Sequence, residues 1–222
     1  MTVDLDPTDE QQSIIDVFGA LADRVSPVDG LRAHETLGFS PELWAQLRAM
    51  GAPGMGVSEA DGGGGAGILD LSLAIEALGR RLAPAPLVEH AVTARLLARA
   101  GALPDGVVDG TAIAALALRP AREHVARLVP AGALADHVVA LDGDDLVLAT
   151  SPPGALVPNL ASAPLSDRAL DAPAAVLASG DDARRLHARA VDEWRVLTAA
   201  ALVGLGLGAL TIAVRTPNAR AS

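Results

Sequence analysis

The sequence predicts an α+β protein with an N-terminal helical bundle, a small middle β domain and one long C-terminal helix. Three observations support this fold class. Apolar residues recur at helical spacing through about the first hundred residues. Short apolar runs broken by Pro and Gly follow between residues 105 and 179. From Asp181 onward, a long helical stretch resumes with acidic residues in its first turn, where the helix dipole favours them.

Two short motifs predict where the first helices begin. Thr8 and Gln11 have the spacing of a capping box, in which each side chain bonds to the backbone N–H of the other residue. Ser40 is a typical N-cap residue, and Pro41 suits the first helical position because its missing N–H is not needed there. Gly51 is predicted to end this second helix.

A glycine-rich stretch, here called the glycine segment (residues 51–67), follows the second helix. Seven Pro and Gly residues lie between its two ends, so no regular element persists and the backbone must turn tightly. Beyond it, apolar residues at helical spacing predict a third helix from near Gly67 and a fourth helix that runs up to Gly101.

The chain changes character at Leu103-Pro104-Asp105-Gly106, which is a loop signal. We therefore predict three domains, with boundaries at residues 1–104, 105–179 and 180–222. The strands of the middle domain are predicted from apolar runs at Thr111 to Leu118, His137 to Leu141, Leu146 to Thr150 and Ala174 to Ala178. The break Asp142-Gly143-Asp144-Asp145 predicts a hairpin between two of these runs.

The composition argues against several classes of function. A formal net charge of -10 and a pI near 4.8 argue against nucleic-acid binding, which needs a basic face to neutralise phosphates. The chain has no cysteine, which excludes disulfides, thiolate catalysis and Cys-containing metal sites. Met1 to Asp9 carries neither a basic side chain nor an apolar run, so no secretory signal is predicted and a cytoplasmic location is expected.

One combination of motifs is far more specific than any of its parts. It reads Trp44-Ala-Gln-Leu47-Arg-Ala-Met-Gly51, Met55-Gly-Val57-Ser58-Glu59, Gly62 to Gly65, and Asp70 to Glu76-Ala-Leu-Gly79. This combination resembles the N-terminal domain of the acyl-CoA dehydrogenase family, with Ser58 in place of the usual proline. Arg195 to Gly204, followed by Gly206 and Gly208, resembles the first helix of the family's C-terminal four-helix bundle.

The resemblance implies a function and a set of partners. It implies an FAD flavoprotein of fatty acid metabolism that dehydrogenates an acyl-CoA thioester between its α and β carbons. In that reaction a carboxylate removes the α proton and the flavin takes the β hydride. Family members are commonly oligomers, so we expect a homo-oligomer or a hetero-oligomer with a full-length homologue. Neither nucleic acid nor a membrane is an expected partner.

The chain departs from the family pattern in two places. Where the family has a flavin-lining Thr-Glu-Pro segment followed by Gly-Ser, this chain reads Leu116-Ala-Leu118-Arg119-Pro120-Ala-Arg122, and only the proline matches. After the bundle helix the family continues with a flavin-binding Arg segment and three more helices, one of which carries the catalytic carboxylate. This chain reads Arg215 to Ser222 instead. We therefore expect a shortened β domain, an incomplete bundle and no activity from the isolated chain. The alternative is a non-catalytic assembly subunit or a truncated remnant that pairs with a full-length homologue.

No residue is assigned to catalysis, and no cofactor-binding residue is identified. Glu10, Glu59 and Glu76 all belong to the helical part, and their patterns favour capping, turn or solvated roles. The five histidines lack metal-ligand spacing, so no metal site is predicted. Two Gly-x-Gly-x-x-Gly/Ala matches, beginning at Gly62 and Gly204, lack the strand that a dinucleotide fingerprint requires.

The uncharged stretch Val196 to Val214 admits a second interpretation. Its 19 residues approach the roughly 20 needed for a membrane span. However, the stretch is rich in Ala and Gly, includes Thr198 and Thr211, and has only Trp194 as an interfacial aromatic residue. Its small residues suit a helix packed closely on all sides in a soluble bundle, which is the interpretation we favour.

Overall fold

The computed structural model describes residues 6–25, 32–170 and 174–215. Five α-helices lie in these ranges: α1 Asp9–Val25, α2 Pro41–Ala49, α3 Ile68–Gly79, α4 Leu87–Arg99 and α5 Gly180–Arg215. The six strands are β1 Ala114–Leu116, β2 Val125–Val129, β3 His137–Asp142, β4 Asp145–Thr150, β5 Ser166–Ala169 and β6 Ala174–Ser179. The predicted α+β class is confirmed, with four helices before the strands and one long helix after them.

The helix starts follow the caps read from the sequence. Thr8 and Gln11 form the reciprocal capping box, with backbone-to-side-chain distances of 3.0 and 3.2 Å. The Ser40 hydroxyl accepts the Leu43 N–H at the start of α2, and Pro41 occupies the first helical position. These bonds satisfy N–H groups that have no partner inside a helix.

The strands form two sheets. The larger sheet has the order β1-β3-β4-β6, in which β1 and β3 are parallel and the other pairs are antiparallel. Asp142 pairs with Asp145, which confirms the predicted hairpin. The predicted strand Thr111 to Leu118 is shorter than expected, because Asp109 takes the backbone N–H of Thr111 (2.8 Å) and holds that end in a turn.

The smaller sheet was not predicted. It pairs β2 with β5 in antiparallel fashion, with an irregularity between Ala126 and Val129. The β5 residues Ser-Asp-Arg-Ala carry no large apolar side chain, and β2 contains an arginine, so neither segment shows a run of apolar residues. Pairing with each other, rather than hydrophobic patterning, defines these strands.

Two buried histidines join the helical part to the larger sheet. The His90 ring on α4 bonds to the Val107 carbonyl through Nε2 (2.9 Å) and accepts the Ala114 N–H through Nδ1 (3.1 Å). His187 on α5 bonds to the Ala117 carbonyl (2.8 Å). One hydrophobic core continues across both parts of the molecule and is built mainly from Leu, Val and Ala.

Glycines allow α3 and α5 to cross closely. A Cβ at Gly204 would lie 2.1 Å from the Glu76 carbonyl oxygen, and one at Gly79 would lie 2.4 Å from the Ala201 carbonyl oxygen. No side chain fits between backbones at this distance, so the small residues of α5 form the contact face with α3.

The opposite face of α5 is exposed in this chain, as expected for one helix of an incomplete bundle. Its exposed apolar residues are Val196, Leu202, Val203, Leu207, Leu210, Ile212 and Val214, and together they are called the α5 apolar face. Within the described ranges, α5 is also the single helix long and apolar enough to cross a membrane, with a hydropathy of 2.1 in its most apolar window. A contiguous apolar surface of this kind is typical of an interaction site.

Candidate functional site

A groove with a volume of about 840 Å³ lies where the chain leaves β1 and meets the smaller sheet. It occupies the part of the sequence where the resemblance places the flavin-lining segment. Its walls are formed by Leu118, Arg119, Pro120, Ala121, Arg122, Val125, Arg127, Leu128, Val157 and Asp167. Apolar side chains therefore form most of the wall, and three guanidinium groups and one carboxylate border it.

A strained turn forms one side of the groove. Arg122 and Val125 exchange two backbone hydrogen bonds of 3.0 and 2.9 Å across the residues between them. Those residues, Glu123 and His124, have φ values of 52° and 56°, and Leu128 has a φ of 51°. Side-chain-bearing residues rarely adopt this left-handed conformation, and such strain often clusters at functional sites.

The charges around the groove are not balanced. Arg127 pairs with the Asp167 carboxylate (3.1 Å), whose other oxygen accepts the Leu128 N–H (2.8 Å). The side chains of Arg119 and Arg122 are exposed and have no hydrogen-bond or ion-pair partner among the described residues. The groove therefore has an excess of positive charge that favours an anionic ligand.

A buried arginine supports the base of this region. The guanidinium of Arg168 on β5 donates to the carbonyls of Gly132 (2.8 Å), Ala135 (2.6 Å) and Ser151 (2.9 Å), and to the Ser151 hydroxyl. Burial lowers the pKa of Arg168, while the charge of Asp136 opposes that shift. Arg168 therefore ties two loops, the β2–β3 connection and the segment after β4, to β5 and fixes the strand that carries Asp167.

The glutamates considered from the sequence lie away from the groove. Glu10 is exposed in the first turn of α1, and Glu59 is exposed in a 3-10 turn of the glycine segment. Glu76 on α3 pairs with Arg80 at 2.7 Å. None of the three lines the groove, so the structure does not bring these carboxylates together.

The histidines occupy separate structural positions. His90 is fully buried against the Trp44 ring, and burial lowers its pKa to about 4. His137 bonds to the Thr150 hydroxyl (2.9 Å), and its pKa is lowered mainly by burial. Across residues 6–25, 32–170 and 174–215, no group of three or more His, Asp or Glu side chains is placed to hold a metal ion.

The groove residues fit the flavin dinucleotide that the resemblance implies. Such a group combines a flat, largely apolar ring system with a doubly charged diphosphate. Leu118, Val125 and Val157 offer apolar contact, and the free guanidinium groups of Arg119 and Arg122 suit a diphosphate. Sequence reasoning did not identify these arginines as binding residues, because neither matches the family's Thr-Glu-Pro segment. The sequence shows two arginines near Pro120, but it does not show whether their side chains have partners.

Comparison with known proteins identifies the N-terminal part of the chain. Residues 8–102 match the model of the acyl-CoA dehydrogenase N-terminal domain. Acyl-CoA dehydrogenase IpdE2 of Mycobacterium tuberculosis is 30% identical over 148 residues, and that of Mycolicibacterium smegmatis is 26% identical over 144 residues. Each alignment covers 63% of this chain and 44% of the relative. The chain thus spans less than half the length of the curated relatives it matches.

Solved structures share the fold over nearly the whole chain. The ChsE4-ChsE5 complex from Mycobacterium tuberculosis matches 99% of this chain and 70% of its own, with 21% identity and a TM-score of 0.81. The Tcur3481-Tcur3483 steroid ACAD variant matches 96% of this chain and 68% of its own, with 25% identity and a TM-score of 0.79. The structure of PigA with FAD and proline matches 99% of this chain and 71% of its own, with 19% identity and a TM-score of 0.83. Residues 8–102 therefore belong to the acyl-CoA dehydrogenase N-terminal domain family, and the chain as a whole shares the fold of these solved structures.

Proposed function

We propose that this chain is one part of an FAD-dependent acyl-CoA dehydrogenase assembly and that its groove holds the flavin nucleotide. The observation that carries this proposal is the groove itself, with an apolar wall and two guanidinium groups that have no partner among the described residues, beside a strained turn. In this proposal, residues 1–104, 105–179 and 180–222 are the N-terminal domain, the β domain and the first helix of the C-terminal bundle. When bound, oxidised flavin accepts the hydride that leaves the β carbon of the acyl group.

The residues that line the groove include no free carboxylate for proton abstraction. Asp167 is the single acid among its lining residues in the described chain, and Arg127 and the Leu128 N–H occupy its two oxygens. A general base must reach the proton it removes, at about 3 Å. We therefore place the base outside the residues that this structure describes, and we expect these residues alone not to turn over acyl-CoA.

The partner in this proposal is a full-length homologue that packs on the α5 apolar face. Leu202, Leu210 and Val214 are each more than half exposed, and burial of such side chains contributes about 1.5–3 kcal/mol apiece. Two of the matched structures, the ChsE4-ChsE5 complex and Tcur3481-Tcur3483, are each named for two proteins, which supports a mixed assembly. A cytoplasmic location is part of the same proposal.

The flavin site is tested by titrating FAD into the purified chain, alone and mixed with a full-length acyl-CoA dehydrogenase subunit from the same source. We expect the double variant Arg119→Gln/Arg122→Gln to weaken binding by roughly tenfold or more, because hydrogen bonds to charged groups contribute about 1.5–3 kcal/mol. Arg24→Gln is the matched control, since Arg24 is exposed on α1 and contacts Gln46. Equal affinity of both variants would exclude the groove as the flavin site.

A second function is a non-catalytic assembly subunit that binds no flavin. The observation that favours it is the replacement of the family's flavin-lining Thr-Glu by Leu118-Arg119. This function predicts a stable complex with the full-length homologue in which this chain's groove takes up no FAD and the Arg119→Gln/Arg122→Gln variant behaves like the unmodified chain.

A further inference from the structure

A partly buried ion cluster joins α4 to α5 away from the groove. The Glu193 carboxylate on α5 accepts hydrogen bonds from Arg95 (3.0 Å) and Arg99 (2.5 Å), both on α4, and lies 3.5 Å from Arg189. The Glu193 side chain is 12% exposed and that of Arg95 is 14% exposed, so solvent screens this cluster far less than a surface pair. One carboxylate here faces three guanidinium groups.

Arg95 also holds the glycine segment. Its Nη1 donates to the carbonyl of Gly56 (2.8 Å), in the first half of the glycine segment, and to the carbonyl of Ala66 (3.3 Å), near the end of that segment. Between them, the N–H groups of Gly64, Gly65 and Ala66 bond back to the carbonyls of residues 54, 57 and 55. The same guanidinium therefore contacts both α5 and the glycine segment.

The cluster also separates two cavities. One, of about 370 Å³, lies against the glycine segment and is lined by Ser58, Glu59 and Asp61 among others. The other, of about 1110 Å³, lies along the N-terminal half of α5. Arg95 and Arg99 are lining residues of both cavities, so their side chains form the wall between them.

We propose that the Arg95–Glu193–Arg99 cluster is a conformational link that makes closure of the glycine segment depend on the position of α5. Removing the carboxylate leaves neighbouring guanidinium groups to repel one another, so Arg95 loses the contact that orients it toward Gly56 and Ala66. Burial alone would raise the pKa of Glu193, but the hydrogen bonds from Arg95 and Arg99 outweigh it and lower that pKa, so the carboxylate is ionised at neutral pH.

The test compares amide hydrogen exchange in Glu193→Gln and in Asp192→Asn. Asp192 is the neighbouring exposed acid, and it pairs with Arg195 on the same helix. We expect Glu193→Gln to accelerate exchange at Gly64, Gly65 and Ala66 by roughly tenfold or more while β3 and β4 keep their protection, because a local opening exposes only the loop amides. Asp192→Asn leaves exchange unchanged. Unchanged loop exchange in Glu193→Gln, or equal acceleration across the sheet, would overturn the proposal.

A second pair of variants keeps the proposal testable if Glu193→Gln does not fold. Arg95→Gln removes the side chain that contacts both the loop and α5, whereas Arg99→Gln removes a partner of Glu193 that makes no contact with the loop carbonyls. We expect faster loop exchange in Arg95→Gln and a smaller change in Arg99→Gln. Equal exchange in these two variants would show that the link does not pass through Arg95.

Discussion

The crossing of α3 and α5 gives the sharpest test of the fold, because two nearby glycines of α5 have opposite surroundings. A Cβ added at Gly204 would lie 2.1 Å from the Glu76 carbonyl oxygen and 3.0 Å from the Arg80 backbone nitrogen. A Cβ added at Gly206 would meet no atom within 4 Å. Both glycines lie in the interior of the same helix, so their intrinsic helix propensities are equal.

The two alanine variants should therefore move stability in opposite directions. Gly206→Ala should raise the free energy of unfolding by about 0.5–1 kcal/mol, since alanine loses less backbone entropy than glycine in a helix. Gly204→Ala gains the same helix-propensity energy, but its new Cβ would collide with the α3 backbone and push α5 away from α3. Overpacking of this kind costs about 1–3 kcal/mol, and more where two helices must separate.

The assay is urea unfolding of both variants and the unmodified chain, followed by far-UV circular dichroism. We expect Gly204→Ala to be less stable than Gly206→Ala by about 1–3 kcal/mol or more, which is the overpacking cost alone, because both variants share the propensity gain. Equal stabilities, or a less stable Gly206→Ala, would refute the close approach of α3 and α5.

Three further predictions concern the core, the β part and the α5 apolar face. The pKa of His90 falls from 6.5 to about 4 on folding, so the stability that its neutral form contributes is fully present above pH 6.5. We expect the free energy of unfolding to fall by about 3 kcal/mol as pH is lowered from 6.5 to 4. Unfolding measurements across this pH range should show that loss in the unmodified chain and not in His90→Gln. Arg168→Met should lower the free energy of unfolding by about 3–5 kcal/mol, because it leaves several buried carbonyls unpaired, and chemical denaturation that shows less than about 1 kcal/mol would contradict the role assigned to this side chain. Leu202→Glu should abolish co-elution with the full-length homologue on size-exclusion chromatography, whereas Leu160→Glu, at an exposed position outside that face, should not.

Features determined by neighbouring residues could be predicted from the sequence. The capping box of α1, the Ser40 cap of α2 and the hairpin at residues 142–145 all depend on contacts within a few positions. The glycine segment was predicted to turn tightly, and its backbone does fold back on itself through bonds between residues 54–58 and 63–66. Local chemistry alone sets these elements.

Features that depend on distant contacts could not be predicted. The groove exists because β2 pairs with β5, which brings Arg127 beside Asp167, 40 positions away. The ion cluster joins Arg95 to Glu193 across 98 positions, and His90 finds its partners in the stretch that leads into β1. The spacing of apolar residues in the sequence does not show that Arg119 and Arg122 border a groove or that Glu193 is largely covered, because tertiary packing decides both.

The visible absorption spectrum of this chain co-purified with a full-length acyl-CoA dehydrogenase subunit tests the central claim most directly. We predict a stable complex with the absorption bands of oxidised flavin, whose intensity falls when Arg119 and Arg122 are both replaced by Gln and which bleaches when an acyl-CoA substrate is added. A complex of two folded chains whose flavin absorption is the same with and without these two substitutions would contradict the assignment of the groove as a flavin site.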